Sequence, residues 1–237
     1  MKENGMFRSL ILAAAAVATC TPLAFGAFED GPVMPLPDAG ERIVFDVYRN
    51  GDTRFGTHAL SFTQDGQDLL VNIDIELRAG LGPVTVFRYE HQSTERWREG
   101  QLVGLVSETL KDGDTYEVSA QSSGEALDVQ GMAPEDGPIS LELPLSILPS
   151  SHWHGYRPGE YDILNTEYGN ELDVTVEYLG EEMLEADGER IPARRYRLIS
   201  DLTVDLWYDE NGRWAGCEFE ARGQTVRYVR RADPLEG

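Results

Sequence analysis

Apolar and polar residues alternate with a period of two along most of this chain. In the stretch 69–77, Leu69, Val71, Ile73, Ile75 and Leu77 share one parity, while Asn72, Asp74 and Glu76 hold the other. A strand sends successive side chains to opposite faces, so this stretch is predicted to be a strand with one core face and one wet face. Ile43, Phe45 and Val47 repeat the pattern, as do Leu172, Val174, Val176 and Tyr178, and then Leu202, Val204, Leu206 and Tyr208. Tyr116-Val118-Ala120 and Val226-Tyr228 mark shorter strands, and no long stretch carries a helical period.

Turn signals punctuate these runs at Asn50-Gly51, Asp65-Gly66, Glu99-Gly100, Asp112-Gly113, Asp187-Gly188 and Asn211-Gly212. Such pairs reach positive φ cheaply, as tight hairpins require. The least regular part runs from Leu143 to Leu164, where Pro144, Pro149 and Pro158 predict a loop or short helix crossing one side of the sheet. The expected fold is all-β and mainly antiparallel: a strongly curved meander of about ten strands forming a barrel or half-barrel, with 143–164 covering an opening. One β-rich domain is expected over 42–232, preceded by an extended segment over 27–41.

The chain starts differently. Lys2 and Arg8 precede an apolar run from Leu10 to Ala18 that breaks at Pro22. This pattern predicts a secretory signal peptide over 1–26, cut after Gly26, and a mature chain with no membrane span. Val17-Ala18-Thr19-Cys20 partly resembles a lipobox, so lipidation at Cys20 is the alternative. Export points to the periplasm. The formal charge of −22 repels nucleic acid and anionic membranes, so neither is expected as a partner. With Cys20 in the leader, Cys217 has no disulfide partner, and its alternation with Ala215, Phe219 and Ala221 predicts a small buried hydrophobe.

Several stretches carry a resemblance. They are Tyr89-Glu90-His91-Gln92-Ser93-Thr94-Glu95-Arg96-Trp97-Arg98-Glu99-Gly100, Pro149-Ser150-Ser151-His152-Trp153, and Leu164-Asn165-Thr166-Glu167-Tyr168-Gly169. Ile191-Pro192-Ala193-Arg194-Arg195-Tyr196-Arg197-Leu198 and Asp205-Leu206-Trp207-Tyr208-Asp209-Glu210-Asn211-Gly212-Arg213-Trp214 continue it. Together they resemble a family of uncharacterised exported bacterial proteins, domain of unknown function 6134. The resemblance implies export and a β-rich fold, and it implies no activity.

One strand stands out for chemistry. Phe87, Tyr89, His91, Ser93, Glu95 and Trp97 share a face that is aromatic at both ends and polar in the middle. Facing a barrel interior, it would supply an apolar cavity with a few polar groups, the usual character of a ligand site. Phe87, Tyr89, His91, Glu95, Trp97, Trp153 and Trp207 are therefore the candidate ligand-binding residues. The plainer reading of Glu95 is a buried carboxylate bonded to an arginine or a tryptophan. His152 and His154 would point the same way on an extended segment and could grip a metal ion, with His58, His91 or a carboxylate as a third ligand. Trp207 and Trp214 flank Asn211-Gly212 and are predicted to stack across a hairpin.

The sequence holds no phosphate loop, nucleophile elbow, zinc spacing or calcium loop, so no cofactor and no catalytic residue is assigned. The leading expectation is a non-enzymatic envelope protein that holds a lipid or other apolar molecule in a curved sheet. The alternatives are a metal-dependent or carboxylate-using hydrolase, and a protein-interaction module.

Overall fold

The computed structural model describes residues 36–81, 84–134 and 137–232, and gives no side-chain detail over 81–86. The expected leader at 1–26, its cut after Gly26, Cys20 and most of the 27–41 segment lie outside the described residues.

Fifteen strands make up most of the described chain. They are β1 (Arg42–Arg49), β2 (Thr53–Asp65), β3 (Asp68–Leu81), β4 (Val84–Arg98), β5 (Gln101–Lys111), β6 (Asp114–Ser123), β7 (Ala126–Ala133) and β8 (Gly137–Pro144), followed by β9 (Leu148–Pro149), β10 (Gly159–Leu164), β11 (Glu171–Ala186), β12 (Glu189–Ile199), β13 (Val204–Asp209), β14 (Trp214–Ala221) and β15 (Gln224–Arg230). All belong to one sheet, in the order β8-β7-β6-β5-β4-β3-β2-β1-β15-β14-β13-β12-β11-β10-β9. Every neighbour pair is antiparallel except the short β9–β10 pair. The fold is thus the expected meander, with more strands than the sequence predicts.

Its topology has a simple logic. The first and last strands pair, Val47 opposite Tyr228, so β1 and β15 lie in the middle of the sheet. The two free edges, β8 and β9, are consecutive in the chain and separated by three residues, 145–147. The sheet therefore rolls until its edges meet at a covalent seam, but no ladder closes it.

The turn dipeptides behave as predicted. Asn50, Glu99, Asp112 and Asp187 all take positive φ, each followed by a glycine that does the same. The irregular stretch needs correction. Residues 159–164, expected to be loop or helix, form β10 against β11, because Tyr161 and Ile163 find inward places beside Val174 and Leu172. Six residues next to Pro158 were too short a run to show this.

The β13–β14 hairpin is present, but its tryptophans do not stack. A bulge between Trp207 and Tyr208 shifts the register, so Trp207 faces Gly216 and Tyr208 faces Trp214. Trp214 then points into the main core while Trp207 points outward. There the long β11–β12 hairpin folds back, bent at the bulge beside Gly180, and lays Leu184 and Ile191 over Trp207 and Ala215. Arg230 anchors the hairpin tip, with Asp187 at 2.6 Å and Asp209 at 2.8 Å.

Candidate functional site

Strand register stacks the inward side chains in layers. One layer runs Phe62, Val71, Glu95, Leu105, Ala120 and Val129 across β2 to β7. The next runs Leu60, Ile73, Ser93 and Ser107, and the one above it Phe45, His58, Ile75, His91 and Thr109. The outermost holds Leu77, Tyr89 and Lys111.

The Glu95 layer is packed solid. Trp153, carried by the irregular segment after β9, enters it and meets Phe62 and Trp97 edge-on, with ring centroids 5.4 Å and 5.3 Å away. Trp97 Nε1 and Trp153 Nε1 each donate to Glu95 Oε2 at 2.9 Å. Burial pushes the Glu95 carboxyl up, while Ser151, Trp153 and Trp97 oppose the shift. Ser151 lies close enough to act on the carboxylate, yet neither Ser151 Oγ nor Glu95 Oε1 makes a regular hydrogen bond to a protein group. Glu95 is thus a latch that ties the seam-covering segment to β4.

Above this floor the interior opens into a cavity of about 540 Å³. Ile73, Ile75, Leu77, Phe87, Leu172, Leu198, Trp214, Cys217, Phe219 and Tyr228 supply its apolar walls, and His58, His91, Lys111, Ser151, His152 and Glu167 its polar groups. The part-exposed Phe87, Tyr168, Ser200 and Leu202 lie at its open end. Both the volume and the mixed lining suit a small-molecule site. A larger hollow of about 1170 Å³ lies over the polar face of β2–β7, lined by Asn72, Asp74, Gln92, Glu108 and Glu117. It is more open than the interior cavity, and most of the residues around it are polar, whereas most of those around the interior cavity are apolar.

Loop 165–170 closes the seam beside the cavity. Lys111 Nζ donates to Glu167 Oε1 at 2.7 Å and to the Tyr168 hydroxyl at 2.8 Å. The Tyr89 hydroxyl donates to Glu167 Oε2 at 3.2 Å, and Ser107 Oγ to Thr166 O at 2.6 Å. Burial works against the Lys111 charge, but the Glu167 and Tyr168 bonds outweigh it and raise its pKa. The loop approaches β7 so closely that a Cβ on Gly131 would sit 2.2 Å from Tyr168 O. Only glycine fits there.

Burial keeps the cavity histidines neutral. It lowers His58 to about 3, helped by neighbouring His91 and His152, and lowers His91 to about 4 against the pull of Glu167 and Asp74. His152 is lowered to about 3, by burial first and then by the neighbouring His154. His91 Nδ1 pairs with Thr109 Oγ1 at 2.7 Å, and His152 Nδ1 with the Tyr156 hydroxyl at 2.8 Å.

The expected residues therefore separate. Phe87, Tyr89, His91 and His152 line the cavity. Glu95, Trp97 and Trp153 form its floor, and His154 lies among the floor residues, beside Trp97 and Trp153. Trp207 is on the opposite face. The His152–His154 pair does not form as expected, because His152 takes φ of +66° and the backbone is not extended there. Both ring nitrogens of His154 lie 2.8 Å from carbonyls, of Gly155 and Pro149. Among the described residues no group of three His, Cys, Asp or Glu could hold a metal ion.

Sequence reasoning passed over His58 as a cavity residue, although it shares its parity with Leu60 and Phe62 on β2. It also passed over Lys111, which shares its parity with Ser107 and Thr109.

The domain of unknown function DUF6134 matches residues 45–231, from β1 to just past β15. The chain belongs to this family. No curated protein matches it. Among solved structures, the DUF6134 domain is similar to a β-barrel-like protein of domain of unknown function DUF1849 from Brucella abortus, at 11% identity and a TM-score of 0.57, over 80% of this chain and 94% of that one. That likeness supports the fold alone. A protein described as a "putative lipoprotein" from Parabacteroides distasonis follows at 9% identity and a TM-score of 0.35, over 86% of this chain and 98% of that one. A third, described as a "putative exported protein" with a YmcC-like fold from Bacteroides fragilis, has 11% identity and a TM-score of 0.33, over 84% and 97%. Neither of the latter carries an argument about this chain.

Proposed function

We propose that this DUF6134 protein is an exported, periplasmic, non-enzymatic carrier that holds a lipid or other apolar small molecule inside its rolled sheet. The observation that carries the reading is the end-opening cavity of about 540 Å³, walled by Ile75, Leu77, Phe87, Leu172, Leu198 and Phe219. Apolar surface enclosed this way rewards an apolar occupant at about 25 cal/mol per Å² removed from water. The sequence before the domain, with Lys2, Arg8 and the apolar run to Ala18, supports export. The hydrolase alternative draws no comparable support, since Glu95 and His154 belong to the packed floor and not to the cavity. Among the described residues no helix is long and apolar enough to cross a membrane.

Native mass spectrometry of the protein, purified from the envelope without detergent, tests this. The expected spectrum carries a lipid-sized adduct that organic solvent releases. A clean apo mass from every preparation would count heavily against a carrier.

A further inference from the structure

Three histidines line the cavity, and they are not equivalent. His91 and His152 each place Nδ1 on a hydroxyl of the protein. His58 is buried, 4% exposed, and neither of its ring nitrogens has a hydrogen-bond partner among the described residues. The ring cannot swing away to find one. Trp214 and Tyr228 hold it edge-on with centroids at 5.3 Å and 5.7 Å, and Phe45 packs at 6.0 Å. Buried polar groups are nearly always satisfied, so the two ring nitrogens of His58 mark where a ligand's polar group belongs.

The chemistry of that group follows from the ring. A neutral imidazole offers one N–H donor and one lone-pair acceptor. A hydroxyl donates and accepts, so it can pair with whichever ring nitrogen it reaches. A bare hydrocarbon would leave both nitrogens unmet, and a cationic head could meet only the lone pair. Position matters as well. His58 lies one layer inside the rim formed by Leu77 and Tyr89, and Phe87 and Leu202 continue that rim. The unmet ring therefore lies just inside a rim whose apolar side chains include Leu77, Phe87 and Leu202. Lys111 at the rim is already paired with Glu167 and Tyr168.

We infer that the occupant is a hydroxyl-bearing amphiphile that enters head first, its hydroxyl against His58 and its apolar tail toward the mouth. This rests on the carrier reading and adds the ligand's class and orientation.

Displacement of the apolar fluorophore N-phenylnaphthylamine by decanol and by decane tests it on the whole protein. Wild type is expected to bind decanol roughly tenfold or more tightly than decane, because only decanol can pair with a ring nitrogen. His58→Leu should erase that preference while decane binding is kept or improved. His58→Gln, which still donates and accepts, should retain part of it and guards against a leucine variant that fails to fold. Equal binding of the two probes by wild type overturns the inference but leaves the carrier reading standing. So does a preference that survives His58→Leu, which would assign it to ordered water or to other groups. Failure of the fluorophore and both probes to bind wild type removes the carrier reading itself.

Discussion

Trp153→Ala is expected to be among the most damaging single substitutions in this protein, costing ~3–5 kcal/mol of stability and lowering Tm by about 10 °C. Three effects add. The indole, 2% exposed, leaves a cavity in the packed floor between Phe62 and Trp97. Glu95 Oε2 loses one of its two donors while remaining fully buried. The segment between β9 and β10 also loses its anchor across the seam. Trp153→Phe separates these effects, since it keeps most of the ring and removes only the N–H, at about 1–2 kcal/mol. Thermal and urea unfolding of both variants measure the difference. A Trp153→Ala variant within about 1 kcal/mol of wild type would mean that the seam is not held this way.

Acid is expected to destabilise the protein from about pH 6.5 downward, before most of its carboxylates titrate. His58 and His91 are held neutral in the folded state, at about 3 and about 4, against an ordinary value of 6.5. The unfolded chain therefore binds the extra protons as pH falls below 6.5, and the folded protein does not. Stability is full above 6.5 and declines through the window down to about 4, by roughly 1.4 kcal/mol per pH unit for each such histidine. His152 and His154, lowered to about 3 and about 4, act in the same direction. Glu95 acts in the opposite direction, since its carboxyl is raised by burial and the folded state gains as it protonates. Asp68, held down to about 2 by Arg98 and Arg96, stays ionised throughout the window. Two histidines alone remove several kcal/mol by pH 4.5, comparable with a typical domain's total of about 5–15. Tm measured from pH 7.5 to 4.5 should fall steeply below 6.5, and His91→Gln should flatten the slope. A Tm that stays level from 7 to 5 would contradict neutral burial of these rings.

The outline of the fold was written in local signals. Period-two alternation placed Val71, Ile73 and Leu77 inward, and asparagine or aspartate before glycine marked the tight turns. The same alternation put Phe87, Tyr89, His91, Ser93, Glu95 and Trp97 on one inner face. It could not say which of these border space and which border other side chains. Trp153 decides that, because it fills the Glu95 layer from a segment 58 residues away and leaves the His91 layer open. Pairing of β1 with β15 is equally hidden, since it joins the first and last strands with no shared local signal. The opposite faces of Trp207 and Trp214 follow from a one-residue bulge, and a single slip of that kind inverts a side chain's direction. His58 was legible by parity, but its lack of a partner is a property of the whole interior.

The claim that the interior is a binding site meets its most direct test in Ile75→Trp. Ile75 lies between His58 and His91 on the cavity wall, so an indole there would occupy the space a ligand needs. Titration with N-phenylnaphthylamine should show saturable one-to-one binding by wild type and at least about tenfold weaker binding by Ile75→Trp, with near-native Tm because the added ring fills open volume. Equal fluorophore binding by a folded Ile75→Trp variant would place the apolar site elsewhere and contradict the account.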